Sequence, residues 1–478
     1  MRWDHLIKWA WICVFAGASV IGAITLTEYQ GSSWIYLLFT ALSLAVLRSG
    51  FGRTAIFFDA FIGVLLFIGF WLKFSVRTAF SEGRFYAPVG GFDGTPESFD
   101  KALLVVSCAL AAILLARFVR GRWFFIYPQA LPSISYVGLF AFYRHYRRVF
   151  LVTFILAVLA ICVANAWFGI YQRGLLPRVD LPLGLNGVFT WLLLFGMASV
   201  SAIILRFELE LHRESYWLAI IIALLEAALS NVSMWSRGMI LNGSSLLYGV
   251  AALFRRGEQR LRLGLVGFAL ASLISLFALS VFGVNWLRAQ VYYDALPEPQ
   301  MVETVVNDSV GLLLDRWVGI EGVMSVVGAD RTGWGLFAEA LAERANPNAN
   351  SFYDQNFIDS PYNNARDDAR HFVSLPGYLA FLFYPGSYTF LFCAVFAFSI
   401  VAGLFEWFVY RFGGNNLVLC ALIAQVIAFR YTSFGYVPMQ SYLLFGAIFL
   451  NVLILYWLDK ILGSNCVSRF WPLHKAAQ

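Results

Sequence analysis

Arg237 lies in the run SNVSMWSRGMILN (230–242), between two apolar stretches at the outer end of a helical hairpin. An arginine in a membrane segment is costly, and it usually faces a polar cavity or an anion. Its planar fork matches phosphate oxygens, and Ser236 beside it adds a hydroxyl donor. An arginine snorkelling from a helix end would share this context. Arg370 and His371 stand where a long polar stretch gives way to an apolar run. Histidine is the usual proton carrier near neutral pH, although an exposed histidine at a helix start has no function on position alone. Arg316 sits beside Asp315, where a surface ion pair would explain it, and Arg430 marks the end of an apolar run in AFRYTS (428–433). With Trp334, Tyr353 and Tyr362 as aromatic plates, these arginines suit a substrate that is part diphosphate and part sugar. His371, Arg237 and Arg316 are the catalytic candidates. Arg370, Arg430, Ser236, Trp334 and Tyr353 are the substrate-binding ones. Asp367, Asp368 and His371 have no further ligand spaced to complete a metal site, and no metal or other cofactor is expected.

The elements that position these residues follow from composition. The chain has 478 residues, 60% hydrophobic and 13% charged, with mean hydropathy +0.71. Soluble domains carry about 25% charged residues, so this is an integral membrane protein. Its net charge of +6 is not arranged in basic blocks with interleaved aromatics, which argues against nucleic acid and for basic loops on one side of a bilayer. Five of the cysteines, Cys13, Cys108, Cys162, Cys393 and Cys420, fall in apolar runs and Cys466 is in the tail. No disulfide framework or metal spacing is present.

Apolar runs predict spans near 9–27, 34–47, 55–76, 102–116, 149–170, 187–205, 216–235, 239–254, 263–284, 387–410, 416–430 and 441–458, each near the length a ~30 Å hydrocarbon layer requires. The first could pass for a signal peptide, but its apolar part is long for one and more spans follow, so it is read as a retained helix. With the N-terminus in the cytoplasm, most of the 34 basic residues fall in the cytoplasmic links. Both termini are then cytoplasmic and 285–372 is external. Trp123–Tyr143 is uncharged, carries Pro128 and Pro132, and has arginine clusters on both flanks. It is read as an interfacial or re-entrant segment within a basic stretch, 117–148. Gly377–Tyr384 before Pro385-Gly386 reads as a half-helix of the kind that survives at membrane depth only inside protein or along a cavity.

The expected fold is therefore an all-α polytopic membrane protein of about twelve transmembrane helices. Residues 1–284 form nine helices, 285–372 an external partly helical loop, and 373–478 a re-entrant segment with the last three helices. In the loop, Leu313, Trp317, Ile320 and Met324 recur at helical spacing, with Asp315, Arg316 and Glu321 off that face. This predicts an amphipathic helix over 310–328 lying on the outer ends of the membrane helices. The loop then reads as a lid, supplying half a site at Arg316 and Arg370-His371 to meet Arg237 and Arg430.

Three features resemble the O-antigen polymerase and ligase superfamily of bacterial envelope glycan assembly: Ser-Arg-Gly (236–238) at the outer end of a mid-chain hairpin, the long external loop, and the Arg-His-Phe-x-x-Leu-Pro-Gly…Pro-Gly pattern over 370–386. The resemblance implies a GT-C-like arrangement in the bacterial inner membrane and a metal-independent glycosyltransferase. Its donor and acceptor would be undecaprenyl-diphosphate-linked oligosaccharides, and its partner a membrane protein that regulates chain length. Arg237 would hold the carrier diphosphate, and His371 would act on the acceptor hydroxyl. Ligases of this superfamily usually have Asn directly after that histidine, where this chain has Phe372, which favours the repeat-unit polymerase over ligation to lipid A core. A lipid-linked oligosaccharide flippase is the competing class. It would favour paired halves and charges buried mid-span, and it has no need of so long an external segment. A polyprenyl-phosphate-sugar-dependent glycosyltransferase would carry an acidic motif in the first external loop, where 28–33 holds only Glu28.

Overall fold

The computed structural model describes residues 3–81, 83–85, 87–211, 217–236, 238, 240–257, 263–292, 317–346, 350–358 and 373–464, and the fold is all-helical. Each of the twelve apolar runs coincides with a helix. These are α1 (Trp3–Glu28), α2 (Ser33–Ser49), α3 (Phe57–Phe80), α4 (Pro96–Trp123), α5 (Val137–Phe168), α6 (Pro182–Leu211), α7 (Trp217–Ser233), α8 (Ile240–Arg256) and α9 (Leu263–Tyr292), then α14 (Tyr388–Phe412), α15 (Leu417–Thr432) and α16 (Ser441–Gly463). Among the described residues, four short helices stand between α9 and α14: α10 (Ile320–Val327), α11 (Trp334–Leu341), α12 (Phe352–Asn356) and α13 (Tyr378–Leu382). Among the described residues, 8 helices are long and apolar enough to cross a membrane, so this is a multi-pass membrane protein. The other four apolar runs, α2, α7, α8 and α15, have 16 or 17 residues, about 25 Å at 1.5 Å per residue.

One of the short helices is the central post. In α15 nearly every residue is buried, and it packs against α3, α6, α8 and α14. It starts where Gly414 and Asn415 take positive φ and Asn416 caps it, accepting from the Val418 and Leu419 amides at 2.9 and 3.3 Å while donating to Ala202 O at 3.1 Å. Such a cap satisfies amides that the helix itself leaves orphaned.

Polar contacts between helix ends fix an alternating up-and-down order. At the end rich in arginine, Glu406 accepts from the Phe57 and Phe58 amides at 2.7 and 2.8 Å. At the same end Arg120 meets Asp59 at 2.6 Å and Arg147 meets Glu208 at 2.5 Å. Residues 124–136, between α4 and α5, lie across this end. Tyr127 Oη donates to Glu406 at 2.6 Å, Arg256 and Arg206 donate to Pro128 O and Pro132 O, and Tyr136 Oη donates to Phe412 O. Both flanking arginine clusters are thereby held at one end. Arg117, Arg120 and Arg206 are buried, so they clamp helices and do not act as free loop charge.

The 285–372 segment, expected to be external, departs from its expected form where it is described. Helix α9 continues to Tyr292, so a boundary at Asn285 falls inside a helix. The helix expected over 310–328 covers Ile320–Val327, and all eight of its residues are buried; 310–316 lie outside the described residues. It is no surface amphipathic helix, because it is inserted between α4, α13 and the π-helical turn Phe67–Leu72 of α3. Glu321, expected on its polar face, is buried because it answers Lys73.

Glycines let this wedge in. A Cβ on Gly319 would lie 1.8 Å from Gly69 O, and one on Gly322 would lie 1.9 Å from Pro376 O, distances at which backbone must move. Helix α13 is the buried half-helix, turning through Pro385 and Gly386 (φ 73) into α14. Overpacking of this kind costs about 1–3 kcal/mol, so Gly319→Ala is expected to lower the thermal midpoint of the detergent-solubilised protein. Gly335→Ala in α11, where a Cβ meets nothing within 4 Å, is expected to leave it unchanged or slightly raised.

Candidate functional site

Opposite the arginine-rich end, the loop after α5 is clasped to the end of α7. Asn165 is buried. Its Nδ2 donates to Tyr171 O at 3.0 Å and to Ser233 Oγ at 2.9 Å, and its Oδ1 accepts from the Tyr171 amide at 2.8 Å. The Arg173 amide then donates to Met234 O at 2.9 Å. The turn that follows α7 carries Trp235 at φ 52, a left-handed position where glycine is usual and a bulky residue is strained. The Ser236 amide reaches back to Asn231 O at 3.0 Å.

The side chains around this hairpin are cationic. The Arg173 guanidinium lies over the Phe429 ring, 5.8 Å from its centroid, and a Cβ on Gly238 would lie 3.7 Å from its Nη1. Arg430, in the last turn of α15, is half-buried and close enough to Arg173 for their charges to repel. It forms no salt bridge to a described residue. Ser236 is buried, and its Oγ has no hydrogen-bond partner among the described residues. Two like charges near the turn that follows α7 make this end of the bundle locally positive, an arrangement that suits an anion.

Of the residues expected from sequence, Arg430 lies beside Arg173, and Ser236 is buried in the turn after α7. Arg237, Arg316, Arg370 and His371 lie outside the described residues. Trp334 is exposed, its ring 4.8 Å from that of Phe390 at the start of α14. Tyr353 does not fit the stacking role expected of it. It is buried, its ring stacked on Phe357 and its Oη 2.7 Å from Ser325 Oγ. Arg173 was not picked, although a basic residue in a short turn opposite the arginine-rich links is itself a signal.

A second polar cluster lies in the wedge. Lys73 Nζ donates to Glu321 Oε1 at 2.8 Å and to Trp317 O at 2.5 Å. Nearby, Asp354 accepts from Ser351 Oγ at 2.6 Å and from the Ser374 amide at 3.2 Å. Glu343 accepts from the Phe352 and Val437 amides at 2.6 and 3.0 Å. Among the described residues no three metal-capable side chains come together. No family model matches the chain, and no curated protein or solved structure matches it.

Removing one partner of a buried ion pair strands the other and costs about 3–5 kcal/mol, while replacing both with apolar groups is far less damaging. Glu321→Gln is therefore expected to lose more stability in detergent unfolding than the Lys73→Met/Glu321→Leu double variant. Burial pushes the Glu343 carboxyl up, the Phe352 and Val437 amides pull it partly back, and the Asp354 charge adds to the rise. The folded protein thus keeps this proton to higher pH than the unfolded chain. That contribution to stability is complete below the unfolded value of about 4.3 and is lost as pH rises through the folded one. Thermal midpoints across this window are expected to fall in the wild type relative to Glu343→Gln; parallel curves would refute the assignment.

Proposed function

We propose that this protein is a membrane glycosyltransferase that polymerises undecaprenyl-diphosphate-linked oligosaccharide repeat units into O-antigen or exopolysaccharide at the outer face of the bacterial inner membrane. The observation that carries this reading is the pairing of Arg173 with Arg430, two like charges close enough to repel at the end of the bundle opposite the arginine-rich one. The sequence resemblance adds to it. In this reading the twelve apolar helices are spans in a GT-C-like arrangement, both termini are cytoplasmic, and the arginine-rich end faces the cytoplasm, as the positive-inside rule requires.

The reaction breaks the bond between sugar C1 and the diphosphate of the donor and forms one from C1 to an acceptor hydroxyl oxygen. The electron pair leaves with the lipid diphosphate, and the hydroxyl proton passes to a base. Diphosphate is already a competent leaving group, so stabilising its growing charge is the larger task. Arg173, Arg430 and Arg237 would do this by binding the transition state more tightly than the ground state. His371 would take the proton, with Arg370 and Arg316 holding the acceptor. Glu321 is not the base, because it is already committed to Lys73.

Each charge-assisted contact is worth about 1.5–3 kcal/mol, or roughly 10- to 100-fold in rate. Arg430→Ala and Arg173→Ala are each expected to lower kcat/KM by that factor in an assay of glycan laddering from purified lipid-linked donor. Arg430→Lys, which keeps the charge without the fork, should fall between, and chelator should leave the wild type active. Full activity in both alanine variants, or abolition by chelator, would overturn the scheme.

A further inference from the structure

Glu226 lies within the apolar helix α7, seven residues before its end, which places it about 10 Å down the helix axis. It is 1% exposed. Ser230 Oγ donates to its Oε1 at 2.9 Å, while Oε2 is buried with no hydrogen-bond partner. Among the described residues no cation pairs with it. Phe154, Ile155 and Val158 of α5 and Ile222, Leu225 and Leu229 of α7 complete the walls of a shallow cleft around it. The mouth gives onto apolar surface, where Ile221, Leu225, Leu156 and Leu159 are exposed, so whatever enters comes from the bilayer.

The ligand's chemistry follows from what the cleft lacks. An ionisable group at membrane depth marks a function by default, and an orphaned buried carboxyl oxygen calls for one partner. A metal cation or an ammonium would need several acceptors to replace its hydration, and six of the seven lining residues are hydrocarbon. An anion would meet no donor but the carboxyl itself. A hydroxyl both donates and accepts, so it satisfies Oε2 whether or not the carboxyl holds a proton. We propose that the cleft between α5 and α7 binds a membrane-borne long-chain alcohol, with its hydroxyl on Glu226 and its chain along the apolar walls.

The test uses the full-length protein in nanodiscs with a photoreactive long-chain primary alcohol. The same chain as a methyl ether serves as control. The alcohol is expected to label peptides containing Phe154 or Leu225 roughly tenfold more than the ether, the factor that one hydrogen bond to a buried acceptor contributes. Glu226→Leu should reduce alcohol labelling to the ether level. Glu226→Gln, which keeps an acceptor and the side-chain volume, should retain most of it and also verifies folding. Equal labelling by the two probes would mean apolar partition alone. Labelling unchanged in Glu226→Leu, or labelling of neither peptide, would equally overturn the proposal.

Discussion

A lysine taken out of water must find a partner before anything else can pack around it, and in this protein that partner comes from the far end of the chain. Lys73 and Glu321 are 248 residues apart and both buried. The desolvation cost of such a pair runs to several kcal/mol per ion and is recovered only where geometry is good and the remaining donors are used. Here Nζ also reaches Trp317 O. Once Glu321 is required at Lys73, α10 must enter the bundle. That entry in turn requires glycine at 69, 319 and 322, where backbone meets backbone. The π-helical turn of α3 stands at the same contact, one extra residue in a helical turn at the place where another chain segment presses on it.

The spans were legible in the sequence because their cause is local. A bilayer demands a continuous apolar run with internally satisfied backbone, and each such run became a helix. Arg430 was legible for the same reason, as a charge ending an apolar run, and it closes the buried post. What was not legible depends on distant pairing. Val310–Gly328 has helical periodicity, and nothing local distinguishes a stripe laid on a surface from a helix buried on every side. Tyr353 stands in an Asn- and Asp-rich stretch that reads as open loop, yet Ser325 takes its hydroxyl and Phe357 its ring. Arg173 stands in the irregular link 169–181, which carries no period. Its meaning comes from the Asn165 clasp that brings it to Phe429.

The buried carboxyl of Glu226 and the arginines at the hairpin belong to one seam. Along α7, Glu226, Ser230 and Ser233 fall on one face, and Ser233 Oγ donates to Cys162 O of α5 at 3.0 Å. The hydroxyls in the middle of the row, Ser230 and Ser233, are engaged, while Ser236 Oγ and Glu226 Oε2, at its two ends, lack partners among the described residues. The α5–α7 pair is thus held together by its own bonds in the middle of the row.

The wedge and the arginine hairpin reach each other through the loop that leaves α15. Arg430 is followed within a few residues by Phe434, whose carbonyl accepts from the Gly377 amide at 2.9 Å, and by Val437, whose amide donates to Glu343 at 3.0 Å. The segment returning to α13 is tied to the wedge as well, by the Ser374 amide on Asp354. The described part of 285–372 is therefore anchored on both sides of α13, and lifting the wedge would strand Lys73.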